Sequence, residues 1–547
     1  MERIVSKEGN EMKKRREGLG GLTRRGFLYL TGLGTAGMTL AGIPQLGRGE
    51  EKKPKYGGRL RFATRWNSAG LDVHKNQEFA DYLSYCYMYG ALTEQGSLPN
   101  VEIHPMLAKS WEISQDGREY IFSLREGVKF HHGKELDSSD VKYSLDRVMN
   151  PVTRAPRAFS FKWVDSVDII DKYHLKITLK EPFAPFLTGL TLYNCAIIPN
   201  GWEPTGMKPA PGTGPFVFKS FVPNETLEVT RFDQYWEYDE KTGDRLPYLD
   251  GIYSKKIVDD TVRWTALRAG DIDCVDTPPL NIVAKAILEK PVPGIHVGYE
   301  NVGVLWIWFN CSRPPFDNKK VRQAVAYALD KKHILKGVFW GLGDTLNNQA
   351  FHKDSRFYIP LQDREVDLAK ARQLLAEAGY PNGFKTEFFE FSMTYDMAGA
   401  EIIIGELKKI GIEATMKVID RAPYHAAMRK GDYSISFRGA HSEVYEWDEA
   451  YYMYLHSSEI GKNNYSRYSN REVDTLLEKG RTTLKWEDRF QIYKKVLETL
   501  REDLPILYFF KPVVGYALHD YLKGFRKGFS TRPAWQGGGV KYWWLDK

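Results

Sequence analysis

The sequence predicts an α/β protein with mixed sheets, built as two or three domains. The chain has 547 residues, which is more than one hydrophobic core usually accommodates. Short segments that alternate apolar and polar residues, as half-buried strands do, are interspersed with segments of helical period. No internal repeat occurs, and the order of the segments gives no sign of a single parallel sheet.

The predicted strands are recognised by alternation or by short apolar runs. Residues 119–124 and 175–179 alternate, whereas residues 304–309 are strongly apolar. The predicted strands are residues 59–64, 119–124, 175–179, 227–232, 304–309, 413–418, 506–510 and 513–518.

The predicted helices are recognised by an apolar face and by residues that end a helix. Residues 140–149 place Val141, Leu145 and Val148 on one face before Pro151 ends the helix. Residues 368–378 are followed by Gly379, which suits a left-handed cap. The other predicted helices are residues 318–329, 397–410, 472–479 and 487–502, and the Pro- and Gly-rich residues 199–215 are predicted to be loop.

The N-terminal segment, residues 1–49, is predicted to be a secretory signal of the twin-arginine type. Arg24-Arg25 stands directly before a Gly- and Leu-rich apolar run that ends near Ile43. The run also contains a G-x-G-x-x-G pattern, but a basic segment precedes it and Pro44 follows, so a dinucleotide site is not expected. An uncleaved N-terminal anchor is the alternative to a cleaved signal. Either alternative predicts a protein that lies outside the cytoplasm.

Charge and cysteine content exclude several classes of function. Residues 50–547 carry 68 basic and 66 acidic side chains, so no basic surface for nucleic acid is expected. None of the four cysteines forms a C-x-x-C pair, which argues against a zinc or redox motif. Two alternatives stay open, namely disulfides Cys86–Cys195 and Cys274–Cys311, or four buried thiols.

Four blocks of residues, in order, resemble the peptide/nickel-type (family 5) extracellular solute-binding proteins of ABC transporters. The resemblance extends over about residues 56–520. The blocks are Leu107–Gly117 with Tyr120–Gly133 and Ser139–Val141, then Gly212–Phe216 with Arg231–Trp236, then Phe309-Asn310 with Pro314–Asp317 and Val321–Asp330, and finally Ala369–Pro381 with Tyr468–Asn470 and Val473-Asp474.

Some residues of these blocks also have a physical interpretation of their own. Asp116-Gly117 is a turn dipeptide between two strands. The segment 212–215, Gly-Thr-Gly-Pro, is expected where two stretches of backbone pass closely. Arg125 and Arg322 are expected to anchor the structure by pairing with acids or carbonyl groups.

The resemblance implies a two-lobed periplasmic binding protein fold of type II, in the large peptide-binding-like class, with a hinge. Lobe I is expected to comprise residues 50–300 and 513–547, with a subdomain at about 101–199, and lobe II residues 301–512. A ligand is enclosed between the lobes by hinge closure, and the closed form delivers it to ABC permease subunits in the membrane. The resemblance thus implies a periplasmic or envelope-exterior binding protein, expected to be a monomer without a cofactor.

The ligand-binding candidates are the polar and aromatic residues expected to face the cleft. In lobe I they are Trp66, Asn67, Arg154, Arg157, Tyr193 and Asn194, and in lobe II they are Trp306, Trp308, Arg438, His441, Glu443, Tyr445 and Trp447. Arg154 or Arg157 suits a ligand carboxylate because a guanidinium pairs with it in a fork. Trp306 and Trp308 share one face of a strand, which is either cleft or core.

One departure from the family pattern leaves the ligand class open. Peptide binders of the family hold the peptide's ammonium group with an Asp shortly before an Asp-Pro pair, whereas this chain has Tyr445 there and Glu449 after Asp448. Glu443 or Glu446 is a substitute for the missing acid. A peptide, an oligosaccharide that stacks on tryptophans, and a nickel chelate bound by His441 are all consistent with the sequence.

A secreted hydrolase is the competing class of function. The sequence contains no G-x-S-x-G elbow, no zincin motif and no single cysteine with a supporting histidine signature. We therefore expect a binding protein and not an enzyme.

Overall fold

Three β-sheets dominate the computed structural model, which describes residues 52–65, 70–75, 85–96, 102–205, 207–301, 303–391, 394–440, 446–525 and 539–547. The contacts divide the chain after Lys53, and residues 54–547 form one unit. The predicted signal, residues 1–49, lies outside the described residues. Within the described residues, no helix has the length and apolar character needed to span a membrane.

The described strands are numbered in chain order. They are β1 (Arg59–Thr64), β2 (Thr93–Gln95), β3 (Ile103–Pro105), β4 (Ala108–Ile113), β5 (Glu119–Leu124), β6 (Val164–Ile169), β7 (His174–Leu179), β8 (Phe216–Val222), β9 (Thr226–Arg231), β10 (Gly251–Lys256), β11 (Cys274–Asp276), β12 (Ile295–Asn301), β13 (Val304–Phe309), β14 (Phe384–Phe391), β15 (Ile412–Ile419), β16 (Ile435–Ala440), β17 (Ile506–Phe510), β18 (Val513–His519), β19 (Leu522–Lys523) and β20 (Trp544–Leu545).

The described α-helices are numbered in the same way. They are α1 (Ser138–Met149), α2 (Phe186–Gly189), α3 (Asp260–Ala269), α4 (Leu280–Leu288), α5 (Lys319–Ala328), α6 (Lys331–Phe339), α7 (Leu368–Glu377), α8 (Thr394–Lys408), α9 (Arg421–Lys430), α10 (Met453–Leu455), α11 (Arg471–Thr482) and α12 (Trp486–Asp503). Short 3-10 turns lie at Ala158–Phe161, Tyr193–Cys195, Ser457–Glu459 and Gly539–Tyr542, and a π-helical turn lies at Asp448–Tyr452.

The sheets are of mixed direction, as the sequence predicts. A seven-stranded sheet has the order β12-β18-β11-β1-β10-β9-β8, a five-stranded sheet has the order β15-β14-β16-β13-β17, and a four-stranded sheet has the order β4-β5-β7-β6. Strand β1 pairs in parallel with β10 and β11, whereas β18 runs antiparallel to both of its neighbours. The late strand β18 therefore lies in the same sheet as the first strand of the chain.

The chain crosses between the seven-stranded and five-stranded sheets twice, from β12 to β13 and from β17 to β18. Near these crossings Asn301 donates from Nδ2 to Asp344 Oδ2 at 3.0 Å, and Lys511 donates its backbone N–H to Asp344 O at 3.2 Å. Burial, partly offset by Asp344, lowers the pKa of Lys511. Two short crossings side by side are the arrangement that a hinge requires.

Two glycines permit a close passage of the backbone, as predicted. A Cβ atom on Gly212 would overlap the carbonyl oxygen of Met88, and one on Gly214 would overlap the same peptide group. Gly214 also donates its backbone N–H to Met88 O at 3.0 Å. Substitution at either glycine would therefore force the two segments apart.

Arg125 and Arg322 are structural anchors, as predicted. Arg322 donates to the carbonyl oxygens of Asp503 at 2.7 Å, Phe316 at 2.6 Å and Asp317 at 3.0 Å. Arg125 donates from Nε to Met106 O at 2.6 Å. These side chains satisfy main-chain acceptors at the ends of regular elements, where intrahelical or intrastrand partners are missing.

The four cysteines are free thiols without disulfides, but Cys86 and Cys311 are half-buried, so the alternative of four buried thiols is correct only for the other two. Cys195 and Cys274 are buried, and Cys195 donates from Sγ to Gly189 O at 3.2 Å. Burial raises the pKa of both thiols, so neither is an activated nucleophile.

Candidate functional site

An ion pair joins two residues that are far apart in sequence, one near the four-stranded sheet and the other near the five-stranded sheet. Arg157 directly precedes the 3-10 turn Ala158–Phe161, whose Phe161 packs in the core beneath the four-stranded sheet. Glu449 lies in the π-helical turn Asp448–Tyr452, next to the five-stranded sheet. Arg157 Nη1 donates to Glu449 Oε1 at 3.4 Å, and the side chains are 23% and 19% exposed. We call Arg157 and Glu449 the charged pair.

The charged pair lies in an environment that disfavours an isolated charge. Burial raises the pKa of Glu449, Arg157 offsets part of this effect, and the neighbouring Asp448 and Glu446 raise the pKa further. Burial lowers the pKa of Arg157, but Glu449, Tyr193 and Tyr454 raise it by more, so the net shift is upward. A second cation near Glu449 would therefore stabilise its ionised form.

The two acids beside Glu449 have other partners. Asp448 accepts from Arg481 Nε and Nη2, both at 2.9 Å. Glu446 accepts two hydrogen bonds from Arg489 Nη2, at 2.8 and 2.9 Å. Buried paired charges of this kind hold a segment in one conformation. Among the described residues, Glu449 is the one of these three acids that pairs with Arg157.

Trp447, a predicted ligand contact, lies in an aromatic core. Its ring is 0% exposed and stacks on Trp486 at 4.7 Å and on Tyr493 at 4.9 Å between ring centroids. Its Nε1 donates to Phe357 O at 2.7 Å. These contacts give Trp447 a structural role, and its contact with a ligand stays a prediction.

Trp306 and Trp308 share one face of β13, as the sequence predicts, and both rings are buried. They meet edge to face at 5.5 Å, and Tyr454 contacts both rings, at 5.4 and 5.8 Å. Tyr508 lies 5.6 Å from Trp306. We call these four residues the Tyr454 cluster. Because Tyr454 also acts on the pKa of Arg157, the cluster is close to the charged pair.

Two polar atoms of the Tyr454 cluster are buried without a partner. Among the described residues, neither Trp306 Nε1 nor Tyr508 Oη has a hydrogen bond. Burial, followed by Tyr451 and Tyr454, raises the pKa of Tyr508 well above its usual value. Native proteins satisfy nearly all buried polar atoms, so such groups indicate a place for a water molecule or a ligand.

The other described candidates lie in different settings. Arg438, on β16 directly opposite Trp306, places its guanidinium 5.5 Å from the Tyr424 ring centroid. Tyr193 contacts the ring of Tyr85 at 6.2 Å. The remaining two candidates differ in exposure. Arg154 is exposed and has a φ of 54°. Asn194 is buried and donates from Nδ2 to Val73 O at 3.2 Å.

A model of bacterial extracellular solute-binding proteins, family 5 middle, matches residues 102–462 of the chain. The chain belongs to family 5. One of its relatives is heme-binding protein A of Haemophilus influenzae. The two sequences are 32% identical over 461 residues, which cover 78% of this chain and 82% of the relative. This family 5 protein is 30% identical to the glutathione-binding protein GsiB of Pectobacterium atrosepticum over 74% of this chain and 79% of that relative.

A solved structure of the family superposes along almost its whole length. The periplasmic binding protein DppA from Helicobacter pylori, in complex with the peptide STSA, is 26% identical, with a TM-score of 0.75 over 90% of this chain and 99% of DppA. The family 5 protein therefore has the two-lobed, type II periplasmic binding fold, and it is the substrate-binding component of an ABC transporter. Its family comprises binding proteins and not enzymes.

The structure brings some of the predicted site residues of this family 5 protein together. Arg157 and Tyr193 interact electrostatically, and Trp306, Trp308 and Arg438 lie on adjacent strands. Arg154 forms no ion pair with a described residue, and Asn194 donates a hydrogen bond to the main-chain carbonyl of Val73. The predicted contacts at Trp66, Asn67, His441, Glu443 and Tyr445 lie outside the described residues. No cluster of three metal-binding side chains occurs in the described part of the chain.

Glu449, Tyr454 and Tyr508 were not among the candidates from sequence. The signal for Glu449 was present, because an acid replaces the Pro of the family's Asp-Pro pair. Tyr454 and Tyr508 carry no comparable local signal, since their position depends on the packing of β13 against β17.

Proposed function

We propose that this substrate-binding protein captures short peptides or peptide-like amino acid derivatives that carry both an ammonium group and a carboxylate. The observation that carries the proposal is the charged pair, in which an acid and a guanidinium from opposite sides face each other at 3.4 Å. A ligand ammonium would take the place of Arg157 at Glu449, and a ligand carboxylate would take the place of Glu449 at Arg157.

The geometry of Glu449 supports this exchange. Its carboxylate accepts one long hydrogen bond from the described residues, although it has room for several. An ammonium group would offer three donors and would offset the burial that raises the pKa of Glu449. Arg157 offers a planar fork that matches a terminal carboxylate.

The Tyr454 cluster supports a ligand with polar atoms between its charged ends. Trp306 Nε1 is a donor and Tyr508 Oη is both a donor and an acceptor, and neither is satisfied by a described residue. The peptide groups of a short peptide supply both kinds of partner. Glutathione and a peptide, the ligands of the relatives GsiB and DppA, are of the proposed class.

The alternative ligands fit the described residues less well. An oligosaccharide would need open tryptophan faces, but the rings of Trp306, Trp308 and Trp447 pack against other rings. His441, through which a nickel chelate would bind, lies outside the described residues. Heme, which the relative from Haemophilus influenzae binds by its name, would use Arg157 through its carboxylates but offers no ammonium group for Glu449.

We also propose how the protein operates in the cell. It is exported by the twin-arginine route, acts as a monomer in the periplasm or at the cell exterior, and carries out no catalysis. Lobe I consists of residues 50–300 and 513–547, and lobe II of residues 301–512. Ligand binding favours the closed form because the ligand contacts both lobes only there.

Calorimetric titration with trialanine tests the proposal. N-acetyl-trialanine, which lacks the ammonium group, and trialanine amide, which lacks the carboxylate, are the matched probes. We expect each blocked probe to bind at least about tenfold more weakly, since a hydrogen bond to a charged group contributes roughly 1.5–3 kcal/mol. Equal affinity for all three probes would contradict the proposal.

A further inference from the structure

Arg481, near the end of α11, connects the turn that carries Glu449 to the subdomain of the four-stranded sheet. Its side chain is buried, with 7% of the residue exposed. Its carbonyl oxygen accepts the backbone N–H of Ala184 at 2.8 Å. Ala184 lies between β7 and α2, so this hydrogen bond crosses from one side of the cleft to the other.

The guanidinium of Arg481 has aromatic partners on both sides of the cleft. Its Cζ lies 3.4 Å from the centroid of Tyr452, which belongs to the same turn as Glu449. On the other side, Cζ lies 5.3 Å from Trp163 and 5.4 Å from Phe183, two rings that stack on each other at 5.4 Å. A cation over aromatic faces gains most where water is excluded.

A second contact lies along the same seam. Gly117, in the turn between β4 and β5, faces Leu484, in the connection between α11 and α12, and a Cβ atom on Gly117 would collide with the Leu484 side chain. Lys162 places its ammonium 4.7 Å from the Trp163 ring centroid, and burial, followed by Arg481, lowers its pKa. The seam is therefore a packed interface between the two sides of the cleft.

We propose that Arg481 is a positioning residue that couples closure of the lobes to the orientation of Glu449. Through Asp448, the guanidinium fixes the turn that presents Glu449. Through Trp163 and Phe183, the same guanidinium holds the lobe I subdomain in the closed position. This inference rests on the proposed function for the role of Glu449, but the closure contact is independent of the ligand.

The coupling follows from the geometry of the guanidinium. Two of its nitrogens are occupied by Asp448 in a fork, so the cation stays attached to lobe II. When the cleft opens, Arg481 loses its contacts with Trp163 and Phe183 and its hydrogen bond from the Ala184 N–H, and its guanidinium becomes exposed to water. These contacts favour the closed form even without a ligand, and ligand binding shifts the equilibrium between the open and closed forms further in the same direction.

Amide hydrogen exchange at Ala184 in the purified, ligand-free protein tests this inference. Its rate is proportional to the opening constant of the seam, so a change in closure is visible even when the open form is rare. The variants are Arg481→Lys, which keeps a cation for Asp448 but loses the fork, and Trp163→Ala, which leaves the Arg481–Asp448 pair intact. Lys479→Ala, at an exposed position of the same helix, is the matched control.

We expect Ala184 to exchange about tenfold faster in both test variants. Trp163→Ala removes the aromatic face, and in Arg481→Lys a compact ammonium cannot bind Asp448 and lie over the rings at the same time. Amides inside α1 should exchange as in the unaltered protein, which separates opening of the seam from a general loss of stability. An Ala184 rate equal to that of Lys479→Ala in both variants would overturn the inference. Because no ligand is present, that result would leave the trialanine titration as an independent test of the proposed function.

Discussion

Arg157 and Glu449 meet at 3.4 Å although 292 residues separate them in the chain. The two acids that precede Glu449 are bound by arginines from later helices: Asp448 by Arg481 of α11 and Glu446 by Arg489 of α12. One acid of the segment 446–449 thus pairs with Arg157, and the other two hold the segment in one conformation. Under the proposed function, this division of roles lets a chain with Tyr445 in place of the family's Asp present a carboxylate to the ligand.

Replacement of Glu449 tests its role as the ammonium site. Glu449→Gln keeps the size of the side chain but removes the charge, so trialanine should bind about tenfold or more weakly. The affinity for N-acetyl-trialanine should stay the same, because that probe has no ammonium group. Glu472→Gln, at an exposed position of α11, is the control. Equal losses for both probes would assign Glu449 a purely structural role.

Replacement of Arg157 tests the carboxylate site in the same manner. In Arg157→Ala we expect trialanine to lose about 2 kcal/mol of binding free energy, whereas trialanine amide loses little. Arg154→Ala is the matched control, since Arg154 is exposed three residues earlier in the same segment. Titration calorimetry measures both affinities. Because Arg154 is the other carboxylate candidate from the sequence, a loss of similar size in Arg154→Ala would contradict the assignment of the carboxylate to Arg157.

Trp447 should affect stability strongly. Its ring is fully buried between Trp486 and Tyr493, so Trp447→Ala should lower the free energy of unfolding by about 3–5 kcal/mol. Trp340 is 48% exposed, and Trp340→Ala should cost less than about 1 kcal/mol. Urea unfolding followed by circular dichroism gives both values. A Trp447→Ala protein as stable as the Trp340→Ala protein would contradict the core position of Trp447.

A buried histidine should make the fold sensitive to acid. His74 donates from Nε2 to Ala196 O at 2.8 Å and accepts at Nδ1 from Arg147 Nη1 at 2.9 Å, so its neutral form is the bonded one. Burial is the main cause that lowers the pKa of His74 from 6.5 to about 4, and Arg147 lowers it further, against the opposing effects of the Ala196 carbonyl, Asp72 and Glu203. The unfolded chain therefore takes up a proton at a higher pH than the folded protein.

The sign of the pH effect follows from this difference. The contribution of His74 to stability is complete above pH 6.5 and is lost as the pH falls to about 4. It should amount to roughly 3–4 kcal/mol in full, since each unit of pKa difference corresponds to about 1.4 kcal/mol. Urea unfolding at pH 7 and pH 4.5 should show a smaller loss in His74→Gln than in the unaltered protein. An equal loss of unfolding free energy in both proteins would show that His74 does not cause the acid sensitivity.

Much of the fold could be predicted from the sequence because its signals are local. β1 and β13 have the predicted bounds, and the predicted helix at 487–502 extends by one residue at each end. Strand β14 was not predicted, because Lys385, Glu387 and Glu390 interrupt its apolar residues and no clean alternation remains. Its place in the sheet is fixed by pairing with β15 and β16, which is information from distant residues.

The site could be predicted only in part, for the same reason. The shared face of Trp306 and Trp308 follows from the period of a strand, but the partners of that face, Tyr454 and Tyr508, come from other elements. Which of Glu446, Asp448 and Glu449 crosses the cleft depends on two arginines that lie more than 30 residues later. Spacing along the chain does not contain that information.

Native mass spectrometry of the protein with an equimolar mixture of trialanine, glutathione, maltotriose, heme and nickel–histidine identifies the class of ligand in one experiment. We expect trialanine or glutathione to be retained, and the retained mass to be lost in Glu449→Gln. Retention of maltotriose, heme or the nickel chelate in place of both peptides would contradict the proposed peptide site.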